Sequence, residues 1–247
     1  MDNLVLEQRI NRLLDVDSMQ DYAPNGLQVE GRREVQRIVT GVTACQALLD
    51  AAAAAGADAV LVHHGYFWKS ESPTVRGMRR QRLKTLLAND INLYAYHLPL
   101  DAHPELGTNA QLAQRLRIDP RGLIAPLLPY GELESPCSAG ELTERLERKL
   151  HHGVLHCGDS GPTLIRRVAW CSGGGQGFIE QAATFGVDAF ISGEVSEQTI
   201  HVAREMGIHF FAAGHHATER GGVMALGEWL AREYDLDVTF IDIANPA

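Results

Sequence analysis

Arg37-Ile38-Val39 aligns with Arg167-Val168-Ala169, and the same spacing of 130 positions brings Gly56-Ala57-Asp58-Ala59-Val60-Leu61 onto Gly186-Val187-Asp188-Ala189-Phe190-Ile191 without a gap. Between these anchors Leu48, Leu49 and Ala52 correspond to Phe178, Ile179 and Ala182, the apolar spacing of a helix packed on a sheet. A strand, helix and strand present twice confine the chain to an α/β fold of two structurally related halves. Short continuous runs of Val, Leu and Ile read as strands buried on both faces, so mixed or largely parallel sheets are expected. The echo continues more loosely: Ile91 to Tyr96 resembles Ile208 to Ala213 at a spacing of 117.

The ends of these runs carry the chemistry. Ala59-Val60-Leu61-Val62 leads into His63-His64, the run ending at Tyr96 leads into His97-Leu98-Pro99-Leu100-Asp101, and the run ending at Ala213 leads into Gly214-His215-His216-Ala217-Thr218-Glu219. In α/β folds ligands collect beyond the C-terminal ends of parallel strands. A lone histidine there is ordinarily a hydrogen-bonded turn residue, but three strand ends with metal-type side chains point to a metal site between the two halves. If a helix begins near Gly214, His215 and Glu219 lie one turn apart on one face and grip one ion, while His216 points elsewhere. The candidate ligands are His63, His64, Asp101, His215 and Glu219. Imidazoles and carboxylates without thiolate suit Zn, Mn, Fe or Ni rather than a cysteine-type structural zinc site. Five ligands exceed what one open ion needs, and two ions about 3.5–4 Å apart would use them all.

The expected organisation is a first α/β half over 1–122, a connecting insertion over 123–163 and a second α/β half over 164–247. The connector holds Pro126, Pro129, Pro136 and Pro162, and its clearest regular piece is a short helix over Ala139 to Leu150, with Leu142, Leu146 and Leu150 at helical spacing. His151, His152 and His156 at its far end have no carboxylate at helical spacing and read as exposed.

At 247 residues and 45% hydrophobic content the chain can bury a sizeable core, as ordinary globular proteins do. No stretch reaches the roughly 18 to 20 apolar residues of a membrane span, and Met1-Asp2-Asn3-Leu4 does not open a signal peptide, so a cytoplasmic protein without membrane contact is expected. A formal net charge of −9 disfavours nucleic acid as the main partner. Cys45, Cys137, Cys157 and Cys171 form no C-x-x-C pair and are assigned no role.

Four further features stay open between two readings. Glu194, in Ser192-Gly193-Glu194, occupies the position equivalent to His64; it is either a carboxylate of the metal site, supporting a ligand or serving as an extra one, or an ordinary surface or helix-capping residue. Arg76, Arg79, Arg80, Arg82 and Lys84 form either a solvated helix face or a phosphate-attracting rim. The loop Gly173 to Gly177 is either a tight strand-to-helix turn or a phosphate cradle, and no P-loop Gly-Lys-Ser/Thr accompanies it. Tyr66-Phe67-Trp68 either seals a core or walls a pocket where a planar base stacks.

Taken together, Asp21-Tyr22-Ala23-Pro24-Asn25-Gly26-Leu27-Gln28, His63-His64-Gly65 with Phe67-Trp68, His97-Leu98-Pro99-Leu100-Asp101, Ser192-Gly193-Glu194 and Gly214 to Glu219 resemble the NIF-three-like dinuclear metal proteins, the GTP cyclohydrolase 1 type 2 homologues, over essentially the whole chain. The resemblance implies a two-metal centre held by His63, His64, Asp101, His215 and Glu219. It places His97 close to that centre without being one of the five, and it implies a homohexameric ring. The expected activity is metal-dependent hydrolysis of a nucleotide or another small phosphate-bearing molecule, with two divalent ions per subunit and His97 as proton shuttle. The other reading is a non-catalytic metal-binding regulatory or scaffold protein.

Overall fold

The computed structural model describes residues Met1 to Ala247, which divide into two compact units: Met1–Gly107 with Gly222–Ala244, and Thr108–Gly221 with Asn245–Ala247.

In the first unit a five-stranded sheet runs in the order β1 (Gly26–Val29), β4 (Asn92–Ala95), β3 (Ala59–His64), β2 (Arg37–Thr43), β11 (Asp237–Phe240). All neighbours are parallel except β1, which lies antiparallel to β4. The central strands are buried on both faces, as their unbroken apolar runs require. On one face Leu48, Leu49 and Ala52 of α2 (Gln46–Ala54) and Leu86 of α3 (Gly77–Ala88) pack with Val39, Val60, Val62 and Leu93. On the other, Leu6 and Ile10 of α1 (Asn3–Leu13) and Val223, Leu226 and Leu230 of α9 (His215–Tyr234) pack with Ile38, Leu61 and Tyr94. Each fully buried Leu, Ile or Val among them contributes roughly 1.5–3 kcal/mol. The first helix starts where Asp2 accepts from the amides of Leu4 and Val5, satisfying donors that the helix itself leaves unmet.

The second unit holds a six-stranded sheet in the order β5 (Ile118–Ala125), β6 (Leu128–Cys137), β8 (Ile165–Cys171), β9 (Ala189–Ser192), β10 (His209–Ala212), β7 (Leu155–Cys157). Here β8, β9 and β10 are parallel and the outer strands antiparallel. The helices are α5 (Thr108–Leu116), α6 (Ala139–Leu150), α7 (Ile179–Phe185) and α8 (Glu197–Met206). Leu142, Leu146 and Leu150 of α6 pack with Val168, Trp170, Ile191 and Phe211, the face that their spacing specified. A reciprocal pair, Ser138 with Glu141, caps this helix.

The repeat is realised in register. Ile38 pairs with Ala59, and Val168 with Ala189; Ala59 pairs with Asn92, and Ala189 with His209. Even the carboxylate at the strand entry is duplicated. Asp58 accepts from the amides of Gln36 and Arg37 at 2.9 and 2.8 Å, as Asp188 accepts from Arg166 and Arg167 at 2.9 and 2.8 Å.

The unit boundaries differ from the expected consecutive segments 1–122, 123–163 and 164–247. The first unit breaks off at Gly107 and takes back Gly222–Ala244, because β11 completes its sheet beside β2. The expected connector is no insertion: β5 and β6 form a hairpin that extends the second sheet, and β7 is its opposite edge. These strands escape a reading by periodicity. β5 is an exposed edge, while Pro120 and Pro136 fall at register shifts, the positions where a ladder tolerates a missing N–H. No helix is long and apolar enough to cross a membrane.

Candidate metal centre

His63 and His64 close β3, and β2 and β4 on either side hold them. The His63 ring is buried, with Nδ1 2.9 Å from the carbonyl oxygen of Tyr96. A carbonyl only accepts, so Nδ1 carries the proton and Nε2 the lone pair. His64 Nδ1 lies 3.3 Å from Oγ1 of Thr43, its register partner at the end of β2.

His97 links β4 to α4 (Leu98–Ala102), and Asp101 sits on that short helix with Oδ1 3.5 Å from His63 Nε2. The His97 amide donates to Asn25 Oδ1 at 2.7 Å, and its Nδ1 lies 3.0 Å from Asp21 Oδ1. His63, His64 and His97 each offer a nitrogen within 4.8 Å of the others, a group that could hold a metal ion. Burial would raise the Asp21 carboxyl, but hydrogen bonds from His97, Asn25 and Leu98 and the His97 charge outweigh it and hold the group far below the usual carboxylate range.

In the second unit α9 begins immediately past β10, as the expected helix start near Gly214 required. His215 Nε2 and Glu219 Oε1 are 3.1 Å apart across one helical turn, and Glu219 is only 3% exposed. His215 Nδ1 lies 2.7 Å from Glu194 Oε1, whose other oxygen accepts from Gln176 Nε2 at 3.2 Å. Glu194 thereby holds the His215 ring. Burial pulls the His215 pKa down, but hydrogen bonds and charge from Glu219 and Glu194 prevail and raise it to about 9. The amide of His216 donates to the carbonyl of Ala247.

The glycine loop belongs to the same cluster. Gly173 has a left-handed φ of 60°, its amide donates to Thr218 Oγ1 at 3.0 Å, and its carbonyl accepts from the amides of Gly193 and Glu194 at 2.9 and 3.2 Å. A Cβ at Gly173 would lie 2.1 Å from Glu219 Oε1 and 3.0 Å from His215 Nε2. The loop is thus a tight turn that lets the backbone approach His215 and Glu219.

Of the aromatic run, Tyr66 is core, its hydroxyl donating to the carbonyl of Ala44, while Trp68 lies 5.1 Å from His97 and 5.9 Å from His64 between ring centres. Tyr22, given no role by sequence reasoning, stands 5.0 Å from His97 and 5.7 Å from Trp68. In the basic segment Arg79 pairs with Glu71 and lies over Phe67, and Arg82 lies over Tyr66. His156 is exposed but bonded, with Nε2 3.0 Å from His209 Nδ1. Asp21 is the supporting residue whose role sequence reasoning missed. Its signal was its place in the motif Asp21 to Gln28, but its partners His97 and Leu98 lie far along the chain.

A twice-repeated α/β unit with imidazoles and carboxylates at the C-terminal ends of its parallel strands defines a duplicated α/β protein with the donor set of a divalent-metal site. The model of the Duf34/NIF3 (NGG1p interacting factor 3) family matches residues 2–246, and the chain belongs to that family. It is 69% identical to a GTP cyclohydrolase 1 type 2 homolog of Yersinia pestis and 68% identical to that of Escherichia coli strain K12, each over 247 residues and 100% of both chains. Among solved structures it superposes on protein ybgI, described as of unknown function, with a TM-score of 0.99 at 68% identity over 100% of both chains. A protein of Thermus thermophilus matches with a TM-score of 0.92 at 32% identity, again over 100% of both.

Proposed function

We propose that this protein is a metal-dependent hydrolase of a nucleotide or another small phosphate-bearing molecule, with His63, His64, Asp101, His215 and Glu219 as ligands of two divalent ions per subunit, Fe, Mn, Zn or Ni. One observation carries the reading. The three histidines proposed as ligands, His63, His64 and His215, are engaged through Nδ1 by Tyr96 O, Thr43 Oγ1 and Glu194 Oε1, which makes Nε2 the nitrogen that would meet a cation. The donor set is nitrogen and oxygen throughout, and Gly173 keeps open the space beside Glu219 and His215 that a Cβ would fill.

When bound, the ions supply Lewis acidity that activates water and offsets phosphate charge. The chain supplies the rest. His97, outside the five ligands, handles a proton at Nε2. Glu194 fixes the tautomer and ring direction of His215, and Tyr22 and Trp68 offer aromatic surface beside His97 for a planar base. The names of the curated relatives support a nucleotide as the substrate class. The family resemblance supports assembly as a ring of six copies, and the bacterial origin of the curated relatives is in keeping with a cytoplasmic location.

The test is protein stripped by chelator, reloaded singly with Mn, Fe, Ni or Zn, and assayed against nucleotide and phosphoester panels. Turnover is expected that requires metal and disappears in Asp101→Ala and His215→Ala. No metal-dependent turnover under any loading refutes the hydrolase reading and favours a non-catalytic metal-binding role.

A further inference from the structure

Asp21 is wired more completely than a loop residue requires. Its side chain is 3% exposed. Oδ1 accepts from the amides of Tyr22 and Ala23 at 2.7 and 3.3 Å and faces His97 Nδ1 at 3.0 Å, while Oδ2 accepts from Asn25 Nδ2 and the Leu98 amide, each at 3.0 Å. Asn25 returns the grip by accepting from the His97 amide at 2.7 Å. Both the backbone and the ring of His97 are thereby tied to one loop. Tyr22 and Trp68 meet the ring edge-on, at interplanar angles of 74° and 81°, which holds its plane.

An ionised carboxylate only accepts, so in the neutral ring the proton resides on Nδ1 and the lone pair on Nε2; the ring centre lies 5.0 and 5.7 Å from those of His63 and His64. His63 and His64 are held by a neutral carbonyl and a hydroxyl. A charged partner does more than orient: it stabilises the imidazolium that forms when Nε2 takes a proton, the part an aspartate plays in carboxylate–imidazole pairs of hydrolases.

We propose that Asp21 is the positioning residue of an Asp21–His97 dyad, holding His97 as the Nδ1–H tautomer so that Nε2 is the proton acceptor of the reaction. In hydrolysis of a phosphoester, a water oxygen bonds to phosphorus as its proton passes to Nε2. The bond from phosphorus to the leaving oxygen breaks, and Nε2 returns the proton to that oxygen. The use of the dyad rests on the hydrolase reading above, but the tautomer does not.

Neutron diffraction from deuterium-exchanged crystals of the zinc-loaded protein at about pH 8 reads the tautomer directly. Deuterium on Nδ1 of His97 is expected. An Nδ1 without deuterium overturns the proposal whether or not a substrate is known. If the panels above reveal turnover, Asp21→Asn should lower kcat roughly 10³- to 10⁴-fold while metal content stays at the wild-type level and KM changes only several-fold. A loss of kcat that merely parallels a loss of bound metal reduces Asp21 to a loop staple and also overturns the proposal. If the panels reveal no turnover while the neutron map shows Nδ1–D, the hydrolase reading fails and the wiring of His97 stands.

Discussion

Replacing Gly173 by alanine should damage the second-unit cluster through one methyl group. The residue sits at a left-handed φ of 60°, which costs a side-chain-bearing residue roughly 1–2 kcal/mol. The new Cβ would stand 2.1 Å from Glu219 Oε1, whereas ordinary contact begins near 3.4 Å, so the carboxylate has to withdraw by more than 1 Å. Metal sites tolerate only about 0.2 Å in ligand distance, and Glu219, 3% exposed, has little room to move. Gly174→Ala is the matched control: the nearest atom to its Cβ is 3.8 Å away and its backbone is not left-handed. Equilibrium urea unfolding should show Gly173→Ala destabilised by about 1–2 kcal/mol. Chelator competition should show its metal affinity lowered at least 10- to 100-fold, the scale of disturbed ligand support. Gly174→Ala should match the wild type in both measurements. If Gly173→Ala retains its metal as tightly as Gly174→Ala does, the inference that this loop is shaped around the ligand pair is wrong.

In metal-free protein the His215 pKa, raised from 6.5 to about 9, contributes stability that is fully present below pH 6.5 and is lost as pH rises through about 9. The unscreened difference of about 3 kcal/mol shrinks to about 1–2 kcal/mol for a side chain 28% exposed, measured as the wild-type loss between pH 6.5 and 9.5 minus that of His215→Gln; equal losses refute it. Thr43→Val removes the partner of His64 Nδ1 and should weaken metal retention 10- to 100-fold while leaving the circular dichroism spectrum unchanged, and wild-type retention would show that Thr43 does not orient His64.

The duplicated βαβ unit was legible because its strands are buried on both faces, which forces the same apolar runs and the same entry carboxylate at Asp58 and Asp188. The candidate site residues were legible because they cluster locally at strand ends and, for His215 and Glu219, at one helical turn. What stayed hidden depends on tertiary pairing. The hairpin of β5 and β6 is disguised by prolines at register shifts and by an exposed edge with no alternating pattern. Asp21 reaches His97 across 76 positions, a contact that no local spacing encodes, and Glu194 reads as a support only once α9 brings His215 Nδ1 to it.

The first unit borrows its last strand and part of a helix from beyond the second unit, with β11 beside β2 and Val223, Leu226 and Leu230 inside its core. During synthesis the earlier-encoded unit must wait with a bare edge at β2 until residues 222–244 emerge, whereas all the strands and helices α5 to α8 of the later-encoded unit precede Gly221. A stalled or truncated chain therefore presents an unfinished first sheet as its sticky surface.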